Sequence, residues 1–210
     1  ARALWVVYFS LAAACLLAYR AAGMGWADAF IHMCSTISLG GFSRYDASLG
    51  HFDSPLIEAV AIVFMMLAGV HLVLYFVVWR GRSPAVLWRS PEVRAFYAVI
   101  AGAIALVTAH LWLTGTYASL TEALRHAAFH VVALATTTGY SSEDYGQWPL
   151  FSPMLLLLLG CFVSCAGSTG GGIKMVRMLL LVKQARRELV RIVHPPVVNP
   201  VVHGGRATGD

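Results

Sequence analysis

Thr136-Thr137-Thr138-Gly139-Tyr140-Ser141-Ser142-Glu143-Asp144 is a short polar, glycine-bearing stretch set between apolar segments. A stretch of the same kind, Ser38-Leu39-Gly40-Gly41-Phe42-Ser43-Arg44-Tyr45-Asp46, lies 98 positions earlier. At that offset Gly41 matches Gly139, Phe42 matches Tyr140, Ser43 matches Ser141 and Asp46 matches Asp144. The same offset joins His32 to His130, Ser54-Pro55 to Ser152-Pro153, and Ala68-Gly69 to Ala166-Gly167. So many matches in one register indicate a duplicated unit. Polar backbone between hydrophobic helices is tolerated in a bilayer only where it is buried in protein or lines a water-filled path. The repeat therefore points to a pore.

Composition sets the environment. Of 210 residues, 59% are hydrophobic and 12% charged, against about 25% charged in a typical soluble domain. This is the balance of a membrane protein. The net charge of +5 says little about partners, because basic residues on membrane proteins mark the cytoplasmic side. Nothing supplies the basic face with base-reading side chains that nucleic acid requires. Cys15, Cys34, Cys161 and Cys165 all fall in apolar stretches. Cys161 and Cys165, at i and i+4, can share a helix face, but no His or carboxylate beside them has metal-ligand spacing. They read as small packing residues. The chain starts at Ala1 with no signal-peptide cleavage pattern, so a piece of something longer is expected.

Ala3 to Tyr19 is apolar, uncharged and bounded by Arg2 and Arg20, about the minimum for a span. Gly25 to Ile37 is too short to cross and suits a re-entrant helix. After the glycine-bearing segment and a polar loop through Pro55, Leu56 to Trp79 reads as a second long apolar segment. Glu58 in its first turn complements the helix dipole. A connector carrying Arg80, Arg82, Arg89 and Arg94 is broken by Pro84 and Pro91. The pattern then restarts. Ala95 to Leu113 is a span, Leu120 to Ala135 a short helix, and Pro149 opens a final apolar run. The tail carries Lys183, Arg186, Arg187 and Arg191 and loses its pattern after Pro195-Pro196.

The expected fold is all-α and transmembrane. Two tandem units, each a span, a half-way helix, an extended return and a span, cover residues 1–80 and 95–183. A connector at 81–94 and a basic tail at 184–210 complete the chain. Connector and tail are Arg/Lys-rich, whereas the loops after the two turn segments carry Asp46, Asp53, Glu143 and Asp144 against Arg44. The positive-inside rule makes the connector and tail cytoplasmic and opens the turn segments outward.

A helix that enters from outside and stops midway aims its C-terminal carbonyl end, about half a negative elementary charge, at the membrane centre. That favours a cation in a central cavity. The returning chain offers backbone carbonyls to an axis, as rings of carbonyl oxygens replace water around potassium in channel filters. Glycine serves where φ must be positive or the backbone must come close to the ion. Thr136, Thr137 and Thr138 add hydroxyls without charge.

These residues carry a family resemblance. ATTTGYSS (135–142), WPLF (148–151) and GCFVSCAGSTGGGIK (160–174) resemble the TrkH/KtrB potassium transporters of the Trk/Ktr/HKT superfamily. STISLGGFS (35–43) and Asp53-Ser54-Pro55 resemble the second repeat of that family, as the later stretch resembles its third. In that family four units surround one pore, each giving one filter strand. The resemblance implies a fourfold pseudosymmetric, cation-channel-like fold in a multi-pass inner-membrane protein. It implies that Ser38, Leu39, Gly40, Gly41 and Phe42, with Thr136, Thr137, Thr138, Gly139 and Tyr140, line a path for potassium. Potassium, as cargo, is held at filter carbonyls alone, and no cofactor is expected. A homodimer docked on a cytosolic nucleotide-binding regulatory ring of the TrkA/KtrA type is also implied. The first and fourth units are absent from this sequence, and two units cannot close a fourfold ring, so a fragment is expected.

Gly167-Ser168-Thr169-Gly170-Gly171-Gly172 interrupts the last apolar segment. Glycine costs a helix roughly 1 kcal/mol relative to alanine, so this run should break it. It is not a phosphate loop, because Ile173 intervenes before Lys174 and no strand precedes it. The resemblance implies an intramembrane loop below the filter that obstructs the pore and moves on gating. Lys174 either faces the pore and repels cations or snorkels to the interface. His32 and His130 sit on matching faces of the short helices. They either sense pH or, as the favoured reading, pack or orient their helices through hydrogen bonds.

Potassium conduction leads among the functions. A substrate-coupled carrier would want buried carboxylates at mid-membrane, and the spans display none. An intramembrane protease would want a serine in a serine-glycine context with a His, or H-E-x-x-H; neither occurs, so no enzyme is expected. An inert structural fragment is the remaining alternative.

Overall fold

A computed structural model describes residues 2–81, 85–193, 201–203 and 206–208. Helix α1 (Arg2–Ala21) has 20 residues and, at 1.5 Å per residue, a length of about 30 Å, the thickness of a bilayer core. It ends at Gly23, whose φ of +105° is free to a residue without Cβ. Arg20 Nη1 donates to the Met24 carbonyl at 3.0 Å beyond that end. Helix α2 (Trp26–Ser38) follows, then a 3-10 turn at Ser48–Phe52.

A continuous span over Leu56–Trp79 is not what forms. The segment divides into α3 (Pro55–Ala68) and α4 (Leu72–Gly81), bent by 87° between them. Gly69 sits at the break, in a right-handed conformation. A Cβ there would lie 3.0 Å from the Phe96 ring and 3.3 Å from Thr136 Cγ2, so the neighbours at the turn leave little room for a side chain. The connector is also shorter than expected. It holds a five-residue helix α5 (Ala85–Arg89), and α6 (Pro91–Leu113) starts at Pro91 rather than Ala95, because proline is accommodated in a first helical turn.

Helix α7 (Leu120–Ala135) keeps the bounds expected of it. Ser119 Oγ accepts from Glu122 N at 3.1 Å, one half of a capping box. A second 3-10 turn (Tyr145–Gln147) leads to α8 (Phe151–Phe162). The glycine-rich stretch separates α8 from α9 (Met175–Val193). The tail departs from the all-α expectation: β1 (Val201–His203) and β2 (Arg206–Thr208) pair antiparallel, Val201 opposite Thr208.

Among the described residues, α1 and α6 are long and apolar enough to cross a membrane, and the bent α3–α4 pair qualifies if taken as one span. Lipid tails remove the hydrophobic drive for helix association, so small residues that permit close approach matter most. The buried contacts follow that rule: Ala29 on α2, Ala61 and Ala68 on α3, Ala103 on α6, and Ala123, Ala127, Ala133 and Ala135 on α7. Lipid-type side chains such as Trp5, Phe9, Leu17, Leu157 and Leu158 stay outside.

Candidate functional site

The two glycine-bearing segments meet. A Cβ on Gly41 would run into the Thr138 carbonyl oxygen and come within 3.3 Å of the Gly139 carbonyl carbon. The backbones of the two segments are thus in direct contact at the glycines the repeat singles out. Their conformations match as well. Leu39 and Thr137 both take positive φ (54° and 61°), as do Gly41 and Gly139 (69° and 82°), while Gly40 and Thr138 do not. A left-handed conformation costs a residue with Cβ about 1–2 kcal/mol, and the surroundings hold it in place. Gly40 N donates to Ser35 O at 2.9 Å. Thr138 N and Gly139 N both donate to Ala133 O, at 2.8 and 3.0 Å. Thr136 Oγ1 donates to Val132 O at 2.7 Å and accepts from Thr138 Oγ1 at 2.7 Å.

The aromatic residues after the two glycines part company. Tyr140 is buried against the first repeat, its hydroxyl donating to the His32 carbonyl at 3.2 Å and lying 3.2 Å from Thr36 Oγ1, which Tyr19 also reaches at 2.8 Å. Phe42 is 77% exposed. Ser38 bonds back into its own helix, Oγ to Ser35 O at 3.3 Å. Farther along, Gly50 N donates to Ser141 O at 3.2 Å and Ser141 N to Ser48 Oγ at 3.3 Å, so the two return segments stay joined past the glycines.

The glycine-rich loop closes one end of this contact. Thr169 Oγ1 donates to Ile37 O at 3.1 Å, and Gly171 N donates to Thr137 Oγ1 at 2.7 Å. A Cβ on Gly170 would lie 2.8 Å from the Thr136 carbonyl and 3.3 Å from Leu39 Cδ1. The loop is therefore seated under the start of both segments. Gly172 packs on the Gly160 and Cys161 carbonyls, and Gly167 against the His71 ring. Ser168 Oγ donates to Cys165 O at 2.7 Å. Lys174, with φ 71°, turns back and donates through Nζ to the Gly170 carbonyl.

Several polar residues carry weight that the sequence reading did not assign. Glu58 is bound bidentately by Arg125, Oε2 to Nε and Oε1 to Nη2, both at 2.8 Å. Its carboxylate ties α3 to α7, so its role exceeds the dipole complement expected of it. No local pattern marks a pair 67 positions apart. Glu92 is buried at the start of α6 and accepts from Ala166 N at 2.6 Å, anchoring the broken stretch before the loop. The matching offset of Gly69 and Gly167 was the available signal for that break. Both carboxylates are buried, but they lie in first helical turns with partners and not at the middle of a span, where a carrier would want them. On the loop before α7, Tyr117 donates to Glu143. Its burial, then that bond, push its phenol above the ordinary tyrosine range.

A family model described as TrkH, cation transport protein, matches residues 1–208. The Trk system potassium uptake protein TrkH of Salmonella typhimurium (strain LT2) is 45% identical over 207 residues, covering 99% of this chain and 43% of the relative. That of Halomonas elongata is 44% identical over 204 residues, covering 97% and 42%. The crystal structure of the potassium transporter TrkH from Vibrio parahaemolyticus matches with a TM-score of 0.95 at 41% identity, over 99% of this chain and 45% of that one. The chain thus spans less than half the length of these relatives. On the family model and these identities, the chain belongs to the TrkH family of cation transport proteins.

Proposed function

We propose that this chain supplies two neighbouring strands, 38–42 and 136–140, of a potassium-selective filter within a Trk-type uptake protein. The backbone contact between Gly41 and Thr138 carries the proposal. Strands that touch at matched glycines belong to one ring and not to separate turns. The alternation of φ supports it. An ordinary extended strand points successive carbonyls to opposite sides. Left-handed residues at Leu39, Gly41, Thr137 and Gly139, alternating with others, turn successive carbonyls toward one side. Such a row can replace the water around potassium. The relatives' names, potassium uptake protein and potassium transporter, give the ion.

In this reading residues 1–80 and 95–183 are two quarters of a pseudo-fourfold pore. A Cβ on Gly139 would meet nothing within 4 Å, and Phe42 is exposed. Those two open edges are where further units pack. The loop at 167–172 obstructs the path below the filter, and Lys174 braces it. The connector and basic tail face the cytoplasm, where they dock a nucleotide-binding regulatory ring of TrkA type, with the complete protein as a homodimer. Conduction is driven by the gradient and the membrane potential, worth roughly 2.3 kcal/mol per charge per 100 mV. A coupled carrier finds little support, since Glu58 and Glu92 are both engaged within the protein.

Potassium-limited growth of an uptake-deficient host carrying the complete gene tests this. The unaltered gene rescues growth, and Gly139→Ser loses preference for potassium over sodium. Equal rescue with unchanged preference would remove Gly139 from the filter.

A further inference from the structure

His32 and His130 are fully buried, 98 positions apart, and each makes the same two-ended connection. His32 Nδ1 lies 2.8 Å from the Asp28 carbonyl one turn back in α2, and Nε2 lies 3.1 Å from Ser43 Oγ in the return segment. His130 Nδ1 lies 2.9 Å from the His126 carbonyl one turn back in α7, and Nε2 lies 3.2 Å from the Glu143 carbonyl in its return segment. In both repeats an imidazole bridges the short helix to the chain just beyond the filter glycine.

The two bridges differ in one proton. A carbonyl only accepts, so Nδ1 donates in both. At His32 this leaves Nε2 to accept from the Ser43 hydroxyl, and the neutral ring makes both bonds. Ser43 Oγ in turn accepts from Tyr45 N at 3.3 Å. At His130 the second partner is another carbonyl, so only an imidazolium donates at both ends. The neutral ring must give one end up. Without it the Glu143 carbonyl is still held by Ser141 Oγ at 2.6 Å and Tyr145 N at 3.1 Å, but those bonds stay within the return segment.

We propose that His32 and His130 are repeat-matched positioning residues that tie each filter strand to its short helix, and that the tie at His130 is complete only when the ring is protonated. This rests on the filter reading above. It makes the outer end of the second strand tighter in acid and looser in alkali, while the first strand is held at any pH. The groups around His130 act in both directions: the Glu143 carboxylate favours an imidazolium, while burial and a protonated His126 oppose it, so the ring gains its second proton only in acid. His126 on the same helix lies 3.4 Å from the Glu143 carboxylate and stacks on Tyr117 at 5.1 Å. Tyr117 donates to that carboxylate and accepts from Trp148 Nε1 at 3.2 Å. From the 3-10 turn and its end, the Tyr145 and Trp148 rings face His130 at 5.3 and 5.0 Å. Asp144 is occupied with Gly146 N and Gln147 Nε2, each at 3.0 Å.

The test uses the full-length protein in liposomes, with equal pH on both faces, and reads the potassium-to-sodium flux ratio from about pH 5.5 to about pH 8. The wild-type ratio falls as pH rises through the acid end of that range and is level above it, because burial keeps the ring neutral except in acid. His32→Ala lowers the ratio throughout and keeps the slope. His130→Ala flattens the profile at or below the alkaline wild-type level. His130→Gln, whose amide donates at every pH, raises the ratio above that of His130→Ala and is also flat. His126→Gln keeps the slope. A flat wild-type profile overturns the proposal, as does a slope that survives His130→Gln but vanishes in His126→Gln. Should His130→Ala fail to fold, the wild-type and His130→Gln profiles still decide. Gly139→Ser separates the two readings: an unchanged ratio in that variant removes the filter and the ties together. Loss of selectivity there, with wild-type ratios and slopes in both His variants, removes the ties alone.

Discussion

Gly41 and Gly40 are adjacent glycines under different constraints. At Gly41 a methyl meets the backbone carbonyl of Thr138 and φ is +69°, so neither space nor conformation admits a side chain. At Gly40 the nearest atoms are the Phe42 ring and Ser38 Oγ, both at 3.2 Å, and both are side chains able to move. Gly41→Ala should cost about 1–2 kcal/mol in backbone strain and about 1–3 kcal/mol more in overpacking. Gly40→Ala should cost under about 1 kcal/mol. Thermal unfolding of the purified full-length protein checks the order. Equal melting temperatures for the two variants would mean that the strands are not in contact at Gly41.

At the scale of elements, the glycine-rich loop is tied both to the two segments, by Thr169 to Ile37 O and Gly171 N to Thr137 Oγ1, and to its own flanks, by Ser168 to Cys165 O, Ser164 to Gly171 O and Lys174 to Gly170 O. Deleting Gly170 to Gly172 should raise basal rubidium leak through the reconstituted protein, because the remaining chain no longer reaches the Thr136 carbonyl. Wild-type leak in that deletion would show that the loop does not obstruct the path. The sequence made some of these elements legible and not others. Helix α7 was legible as the apolar stretch Leu120 to Ala135, because the polar run from Thr136 ends its pattern. The break at Gly69 was hidden inside a long apolar run, where one glycine is tolerated in most helices. What requires glycine there is the closeness of the Phe96 ring and Thr136, contacts that arise only on folding. The seating of the loop was visible as a glycine run, but its contact with both segments was not.

For the whole molecule, the Arg125–Glu58 pair links the repeats through two part-buried bonds, with Glu58 4% exposed at its side chain and Arg125 27%. Breaking such a pair by removing one member costs about 3–5 kcal/mol, whereas replacing both by apolar groups is often near neutral. Arg125→Met should therefore lower stability strongly, and Arg125→Met with Glu58→Leu should regain most of it. A double variant as unstable as the single one would show that desolvation of Glu58 is not the cost. No periodicity or motif reveals this pair, because its members face each other only once α3 and α7 pack. The offset of 98 gave no warning either, since Arg125 and Glu58 match Ala27 and Leu156.

The contact of Gly41 with the Thr138 carbonyl also bears on how such a chain evolves. After a gene duplicates, its copies ordinarily drift apart one mutation at a time. Here a methyl gained in the earlier copy lands on an oxygen of the later one, so neither inherits independence at that point. The copies are bound to a shared history there, while positions such as Phe42 and Tyr140, whose surroundings already differ, were free to diverge.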